Sequence, residues 1–210
     1  MAKRADGDGH AYSLEEGDAA VGAARSTIEA AVRGTPGPRP AFPKKFENPA
    51  GVFTTLSTHP EGALRGCVGF AEPVMPLKEA IVASAVAAAT EDGRFEPVSP
   101  AELDAIVVEL SLLTAPKPIL GSSPEDVIKK VIVGRHGLIV REGRRGGLLL
   151  PQVAVELKWN PQEFLEHTCS KAGQPADFWK DPRATVFAFE AEIFAETEPR
   201  GNVARRGDEH

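Results

Sequence analysis

The sequence predicts a mixed α and β chain, because segments with strand periodicity alternate with segments that begin like helices. Residues 186–195 alternate between two side-chain sets, which is typical of a strand with one face in the core. A capping residue followed by proline stands at Ser99, Ser123 and Asn160, and this pattern predicts three helix starts. With 210 residues, 42% of them hydrophobic, the chain can bury a core of its own.

The first half of the chain contains a hairpin between two predicted helices. Apolar residues recur at helical spacing from Leu14, and Gly34 ends that helix. The expected elements are a helix at 14–33, a proline-rich surface loop at 34–49, hairpin strands at 52–57 and 64–70, and a helix at 76–91.

The second half contains another hairpin that is followed by helices. The expected elements are a strand at 106–113, hairpin strands at 138–141 and 147–150, helices at 151–157 and 161–172, and a last strand at 186–195. The two halves therefore resemble each other in the order of their predicted strands and helices. Two readings remain open, a structural duplication and a chance recurrence of common units.

Composition limits the environment and the partners of the chain. We expect a disordered N-terminus over 1–12, one folded domain over 13–198 and a flexible C-terminal tail over 199–210. The net charge of −6 does not favour nucleic-acid binding, and no run approaches the length of a membrane span. Two distant cysteines and a polar N-terminus without an apolar run predict free thiols in the cytoplasm.

The familiar fingerprints of catalysis and cofactor binding do not occur in the sequence. There is no P-loop, Gly-x-Ser-x-Gly, His-Glu-x-x-His or Cys-x-x-Cys. The five histidines are scattered without metal-ligand spacing, so we expect no metal site. No motif in the sequence indicates which cofactor, if any, the protein binds.

The segment Leu64 to Gly69 is the main candidate for a functional centre. Gly66 and Gly69 bracket Cys67, and glycines in a strand allow a ligand or another backbone to come close. A neighbouring Arg65 would favour the thiolate and so make the thiol reactive. The alternative is that Cys67 is a small buried hydrophobic residue that packs beneath a bulge.

Three further polar residues lie at suggestive positions. Glu109 and Ser111 are two residues apart in a predicted strand and therefore share a face, which either lines a cleft or contacts solvent. Arg94 follows a predicted helix end, where an arginine binds either an anionic group or the last helical carbonyls.

These residues together resemble a known family. The hexapeptide from Leu64 to Gly69 closely resembles the signature of the AMMECR family, in which isoleucine is usual at the position of Val68. Other matching segments are 93–97, 108–113, 137–140, 150–154 and 169–173. Gly93, Phe70 and Lys158 depart from the usual proline, threonine and glycine.

The resemblance implies an α+β fold of two β-β-β-α-α repeats that form a single barrel-like sheet flanked by helices, with a cleft around the signature. It implies no established activity. It does imply an association with Memo-like and radical SAM proteins, in a pathway that modifies RNA, protein or a small molecule. The resemblance indicates neither an oligomeric state nor a cofactor.

Two hypotheses of function follow from the residues and the resemblance. In the first, a cleft binds a substrate or ligand, with Cys67 as nucleophile or contact and Glu109 as base or hydrogen-bond acceptor. Its other binding residues are Arg65, Gly66, Gly69, Arg94, Ser111 and Gln152. In the second, the chain is a non-catalytic adaptor that binds a partner through the loop 34–49 and the hairpin tip Arg144-Arg145.

Overall fold

The computed structural model describes residues 10–143 and 145–206 of the chain. These residues form two compact units. The first unit contains the chain up to Leu113 together with the segment from Glu192 onward, and the second contains Thr114–Ala191.

Five α-helices and eight strands make up the described chain. The helices are α1 (Leu14–Arg33), α2 (Leu77–Thr90), α3 (Pro124–Lys130), α4 (Pro151–Glu156) and α5 (Pro161–Lys171). The strands are β1 (Val52–Thr58), β2 (Leu64–Phe70), β3 (Ile106–Leu113), β4 (Lys117–Pro118), β5 (His136–Glu142), β6 (Arg145–Leu149), β7 (Thr185–Glu196) and β8 (Val203–Arg206).

Local sequence signals explain where several helices begin and end. Ser13 and Glu16 form a capping box at the start of α1, and Gly34 ends that helix in the left-handed conformation with φ 63°. Asn160 caps α5 in the same reciprocal way. The capping box at Ser99 also forms, but the segment after it, Pro100–Asp104, is a 3-10 helix.

The first unit contains an antiparallel sheet in which β1 lies between β2 and β3. The register places Thr55 of β1 opposite both Cys67 of β2 and Glu109 of β3. Strand β3 is followed in the sheet by β7, whose last residues pair with β8. The strand β2 is therefore an edge of this sheet.

Helix α2 packs on one face of the hairpin formed by β1 and β2. The hydroxyls of Thr54 and Ser84 lie 2.7 Å apart on that face, and a Cβ on Gly66 would overlap the carbonyl of Ala88. Because strand side chains alternate between faces, the neighbouring residues face away from α2. We call this side the distal face; it carries Phe53, Thr55, Cys67, Gly69, Glu109 and Ser111.

A buried ion pair connects α1 with the strands of the first unit. The guanidinium of Arg25 donates to Glu196 and to the carbonyl oxygen of Ile106, the latter at 2.7 Å. The Glu196 carboxylate also accepts from the backbone N–H of Val108 at 2.9 Å. Both charges therefore have partners, which offsets the cost of removing them from water.

The second unit repeats the element order of the first. Strand β5 lies between β6 and β7, as β1 lies between β2 and β3. A Cβ on Gly147 in β6 would overlap the backbone of Ala172, just as Gly66 meets the backbone of α2. The expected α+β class is confirmed, and each unit runs along the chain as hairpin, helix and third strand.

The termini of the first unit are more ordered than the sequence suggests. A flexible tail is expected from residue 199, but Val203–Arg206 forms β8. Arg205 donates to Glu192 and to the carbonyl oxygen of Tyr12, the latter at 2.7 Å, and Tyr12 is buried. Cross-strand pairing and these charged contacts therefore hold 203–206 and residues 11–12, whereas 1–9 and 207–210 lie outside the described residues.

Within the described ranges, none of the helices is both long enough and apolar enough to cross a membrane.

We predict that Gly66→Ala destabilises the protein by about 2–3 kcal/mol, because the new methyl group meets rigid helix backbone instead of a flexible side chain. Urea unfolding followed by circular dichroism measures the change. The matched control is Gly22→Ala in α1, where nothing lies within 4 Å of the new Cβ. That substitution should stabilise the protein by about 0.5–1 kcal/mol. Equal effects of the two substitutions would contradict the packing role of Gly66.

Candidate functional site

The Cys67 thiol lies on the distal face, next to a hydroxyl. Thr55 Oγ1 donates to Cys67 Sγ across 3.3 Å, and both side chains are half-buried. Glu109 follows on the other side of Thr55. Adjacent strands lie about 4.8 Å apart, so the Cys67 and Glu109 backbones are separated by about 10 Å. We call these three residues the thiol row.

Burial favours the neutral form of the Glu109 carboxyl. Burial raises its pKa above the usual value, and Arg206 opposes this because its Nε lies 3.3 Å from Glu109 Oε2. A carboxyl with a raised pKa can accept or donate a proton nearer to neutral pH. The thiol row therefore combines a thiol, a hydroxyl and a carboxyl with a raised pKa on one sheet face.

The backbone of Cys67 is held at the sheet edge by two side chains. Its N–H donates to Asp92 Oδ2 at 2.8 Å, and its carbonyl oxygen accepts from Arg94 at 3.1 Å. No strand pairs with this side of β2 among the described residues. The Asp92–Arg94 clamp therefore supplies the partners that another strand would otherwise supply.

The clamp is itself an ion pair that three hydrogen bonds join. Arg94 donates from its backbone N–H, Nε and a terminal nitrogen to Asp92, the last at 2.7 Å. The hydrogen bonds from Arg94 hold the pKa of the Asp92 carboxyl well below its usual range. Asp181 and Arg183 form the same three hydrogen bonds in the second unit.

Arg65 is paired with a different carboxylate. Its Nε donates to Glu102 at 2.7 Å, and a terminal nitrogen donates to the carbonyl oxygen of Glu96 at 2.9 Å. These hydrogen bonds from Arg65 lower the pKa of Glu102 to about 2. The guanidiniums of Arg65 and Arg94 both lie over the ring of Phe95, at 5.8 and 5.6 Å from its centroid. Each candidate anion-binding arginine thus has an internal counter-ion.

The two glycines of the signature serve close packing. Gly66 makes room for α2, as described above. A Cβ on Gly69 would overlap the carbonyl oxygen of Val52 and the ring of Phe53. Ser111 lies opposite Phe53 in the sheet and is 4% exposed. Gly69 and Ser111 therefore extend the distal face beside the thiol row.

Gln152 and the second cysteine lie in the other unit. Gln152 is exposed on α4 in the second unit. All other candidate site residues belong to the first unit. Cys169 is fully buried in α5, and burial raises the pKa of its thiol to about 11. Residues 10–143 and 145–206 contain no group of three or more His, Cys, Asp or Glu that could hold a metal ion.

Sequence reasoning missed three residues of the site, namely Thr55, Asp92 and Glu102. Thr55 is found once the hairpin register is known, because it then lies opposite Cys67. Asp92 has a local signal, since an Asp-x-Arg sequence can close on itself as it does at both positions. Glu102 closes the capping box at Ser99, but its contact with Arg65 depends on the fold.

We predict that Asp92→Ala releases the edge of β2 at Cys67. The Cys67 N–H loses its acceptor, so its amide hydrogen should exchange about tenfold faster, with a stability loss of about 1–3 kcal/mol. Hydrogen exchange followed by NMR measures this. Asp181→Ala is the matched control, because it breaks the same local motif and should leave the Cys67 amide unchanged. An unchanged Cys67 amide in Asp92→Ala would rule out the clamp.

The chain matches the AMMECR1 family model over residues 21–194. It is 46% identical over 194 residues to Protein MJ0810 of Methanocaldococcus jannaschii, covering 92% of this chain and 96% of that protein. A protein of Thermococcus gammatolerans is 50% identical over 198 residues, which cover 91% of this chain and 96% of the relative.

A solved structure agrees with the fold. The crystal structure of the uncharacterized protein PH0010 from Pyrococcus horikoshii has a TM-score of 0.78 and 45% identity to this chain, covering 91% of this chain and 97% of the other. The family model matches most of the sequence, and the relatives align over almost their full length. The chain therefore belongs to the AMMECR1 family.

Proposed function

We propose that this protein is the substrate-binding component of a cytoplasmic pathway that modifies RNA, protein or a small molecule, and that the substrate binds in a cleft on the distal face. The observation that carries the proposal is the thiol row. A thiol, a hydroxyl and a carboxyl with a raised pKa lie side by side on the face that α2 leaves uncovered. A sheet face that served packing alone would carry apolar side chains there.

Cys67 is the reactive group in this proposal. It is half-buried on the distal face, and its backbone is fixed on both sides by the Asp92–Arg94 clamp. Thr55 orients the sulfur by donating a hydrogen bond to it. Glu109, two strands away, exchanges a proton with the far end of a bound substrate.

In this proposal Arg65 and Arg94 act mainly by holding neighbouring groups in position, and less by their charge. Arg65 and Arg94 are neutralised by Glu102 and Asp92, so they add little net positive charge. Arg94 remains 55% exposed and can still donate a hydrogen bond to substrate. Among the three substrate classes, this arrangement favours a polar protein or small molecule of low charge over RNA, which is a polyanion, consistent with the net charge of −6.

Memo-like and radical SAM proteins are the proposed partners in the pathway. The support for this step is membership of the AMMECR1 family, together with the association that the resemblance to that family implies. Binding of a purified Memo-like or radical SAM protein to the isolated chain, measured by co-purification, tests the step separately from the chemistry of Cys67.

A second candidate function is a protein-interaction module. Leu64, in the signature itself, is 44% exposed, and Val74, beyond β2, is 66% exposed. Exposed apolar side chains beside a functional segment also suit a protein contact. Loss of a co-purifying partner in Leu64→Ser or Val74→Ser, with Cys67 variants unaffected, would favour this function over the first.

We predict that iodoacetamide labels Cys67 but not Cys169 in the native protein. Cys67 is half-buried at the surface, whereas Cys169 is completely buried with a thiol pKa of about 11. Mass spectrometry of the intact protein should show one added label, and two after unfolding. If Cys67 stays unlabelled until the protein unfolds, it is a packing residue and cannot be the reactive group.

We predict that host cells carrying Cys67→Ser, Cys67→Ala or Glu109→Gln lose the modification. The first two variants remove the thiol, and the third removes the proton-transfer group. Mass spectrometry of RNA, protein and small-molecule pools would identify the missing product. Glu156→Gln, on the exposed side of α4, is the control. Wild-type pools in all three site variants would eliminate the proposed function.

We predict that Glu109→Gln raises the melting temperature at neutral pH, on the order of 2 °C, because a buried charge is removed. The folded pKa of Glu109 lies above its unfolded value, so folding favours the protonated form. The contribution of this group is therefore complete below the unfolded pKa and is lost as pH rises through the folded pKa. Melting curves from acidic to neutral pH should show that loss in the wild type and not in the variant. Parallel curves would contradict a raised Glu109 pKa.

A further inference from the structure

The thiol row continues to a fourth residue, Arg206 of β8. Its Nε lies 3.3 Å from Glu109 Oε2, and the strand register places it opposite Ile193 of β7. From Cys67 to Arg206 the line of side chains therefore reads thiol, hydroxyl, carboxyl and guanidinium. All four residues belong to the first unit.

The second unit builds the corresponding row from apolar residues. Gly147 makes the close helix contact there, so the next residue, Leu148, occupies the position of Cys67. Leu148 lies opposite Ile139, and Ile139 lies opposite Phe187. The repeated hairpin therefore folds without polar groups in this row, and polar groups cost stability when they are buried without partners. The polar row of the first unit thus indicates a role other than packing.

Arg206 is held less firmly than the other arginines of the site. Arg65 and Arg94 each donate a hydrogen bond of 2.7 Å to a carboxylate. Within residues 10–143 and 145–206, the ion pair of Arg206 is the longer contact with Glu109, and 57% of its side chain is exposed. Burial favours the neutral form of the Glu109 carboxyl, which weakens this pair further. The guanidinium of Arg206 is therefore accessible to a second anion.

The shape and exposure of the row limit what that anion can be. A guanidinium carries five N–H donors in a fixed fork, so Nε can contact Glu109 while the terminal nitrogens bind both oxygens of a carboxylate. A doubly charged group would be repelled more strongly by the neighbouring carboxyl. Cys67 and Thr55 are half-buried and the Glu109 side chain is 22% exposed. A narrow organic chain reaches these groups more readily than the surface of a folded protein.

We propose that Arg206 binds the carboxylate of an elongated small organic acid, which lies along the row with its carboxylate about 10 Å from the atom that meets Cys67. The length follows from the register, because two strand spacings separate the backbones of Cys67 and Glu109. This inference rests on the proposed function, since it gives the substrate of the same site a length and a charge.

Affinity labelling of the full-length protein tests the length and the charge together. The probe is N-iodoacetyl-aminohexanoate, whose extended chain spans about 10 Å between its reactive carbon and its carboxylate. The Cys67 thiolate displaces iodide from that carbon and forms a thioether, and the thiol proton passes to the buffer. The primary amide of the probe is its neutral match, and N-iodoacetylglycine carries the carboxylate on a chain about half as long.

The rate constant of labelling is measured by mass spectrometry of the intact protein, and peptide mapping assigns the label to Cys67. The long carboxylate should label Cys67 about three- to tenfold faster than either the amide or the short carboxylate. The reason is that only the long carboxylate can contact Arg206 while its reactive carbon lies at the thiol.

Three variants identify the arginine that is responsible. Arg206→Ala should remove the advantage of the long carboxylate and leave the amide rate unchanged. Arg206→Lys keeps the charge without the fork, so it should retain part of the advantage. Arg33→Ala, at the exposed end of α1, changes the net charge equally and should retain all of it. Circular dichroism confirms that each variant is folded.

Several outcomes overturn the proposal. Equal rates for the long carboxylate and its amide, with iodoacetamide still labelling Cys67, would eliminate the carboxylate site and leave the proposed function standing. An advantage that survives Arg206→Ala in the folded protein, or that the short carboxylate shares, would also overturn it. If neither the probes nor iodoacetamide label Cys67 in the native protein, the proposed function fails and this inference fails with it.

Discussion

The close contact between Gly66 and helix α2 is the constraint on which the candidate site depends. Because Gly66 has no side chain, the backbone of α2 at Ala88 rests directly on strand β2. That contact decides which face of the hairpin is covered, and side-chain alternation then places Cys67 on the other face. The glycine before the cysteine therefore decides on which face of the hairpin the thiol lies. Gly147 makes the equivalent contact with the helix backbone of the second unit, so the constraint is a property of the repeated hairpin and helix.

Charge in the first unit is arranged mainly to hold backbone in place. Asp92 and Arg94 bind the N–H and carbonyl of Cys67, and Arg25 with Glu196 joins α1 to β3 and β7. In both cases a carboxylate and a guanidinium satisfy each other and nearby backbone groups together, which keeps the net cost of burial small. The charged residues of the signature region are thus fixed parts of the scaffold, whereas the thiol row carries only one ionisable carboxyl, that of Glu109, beside a thiol and a hydroxyl.

Much of the fold could be predicted, because its signals are local. The strand Ile106–Leu113 and the strand Leu64–Phe70 have the expected limits, and the helix ends at Gly34 and Asn160 follow from capping. The errors occurred where contacts distant in sequence override local composition. The tail at 203–206 looks polar and loose, yet pairing with β7 and the contacts of Arg205 make it a strand.

The sequence by itself determined the family, the α+β class and the shared sheet face of Glu109 and Ser111. These depend on periodicity and on a short motif, both of which a single chain segment carries. Only the tertiary structure decided that Thr55 lies between Cys67 and Glu109, that Asp92 and Glu102 neutralise the arginines, and that Gln152 belongs to the other unit. Strand register and side-chain pairing join residues that are far apart along the chain, and no local pattern encodes those distances.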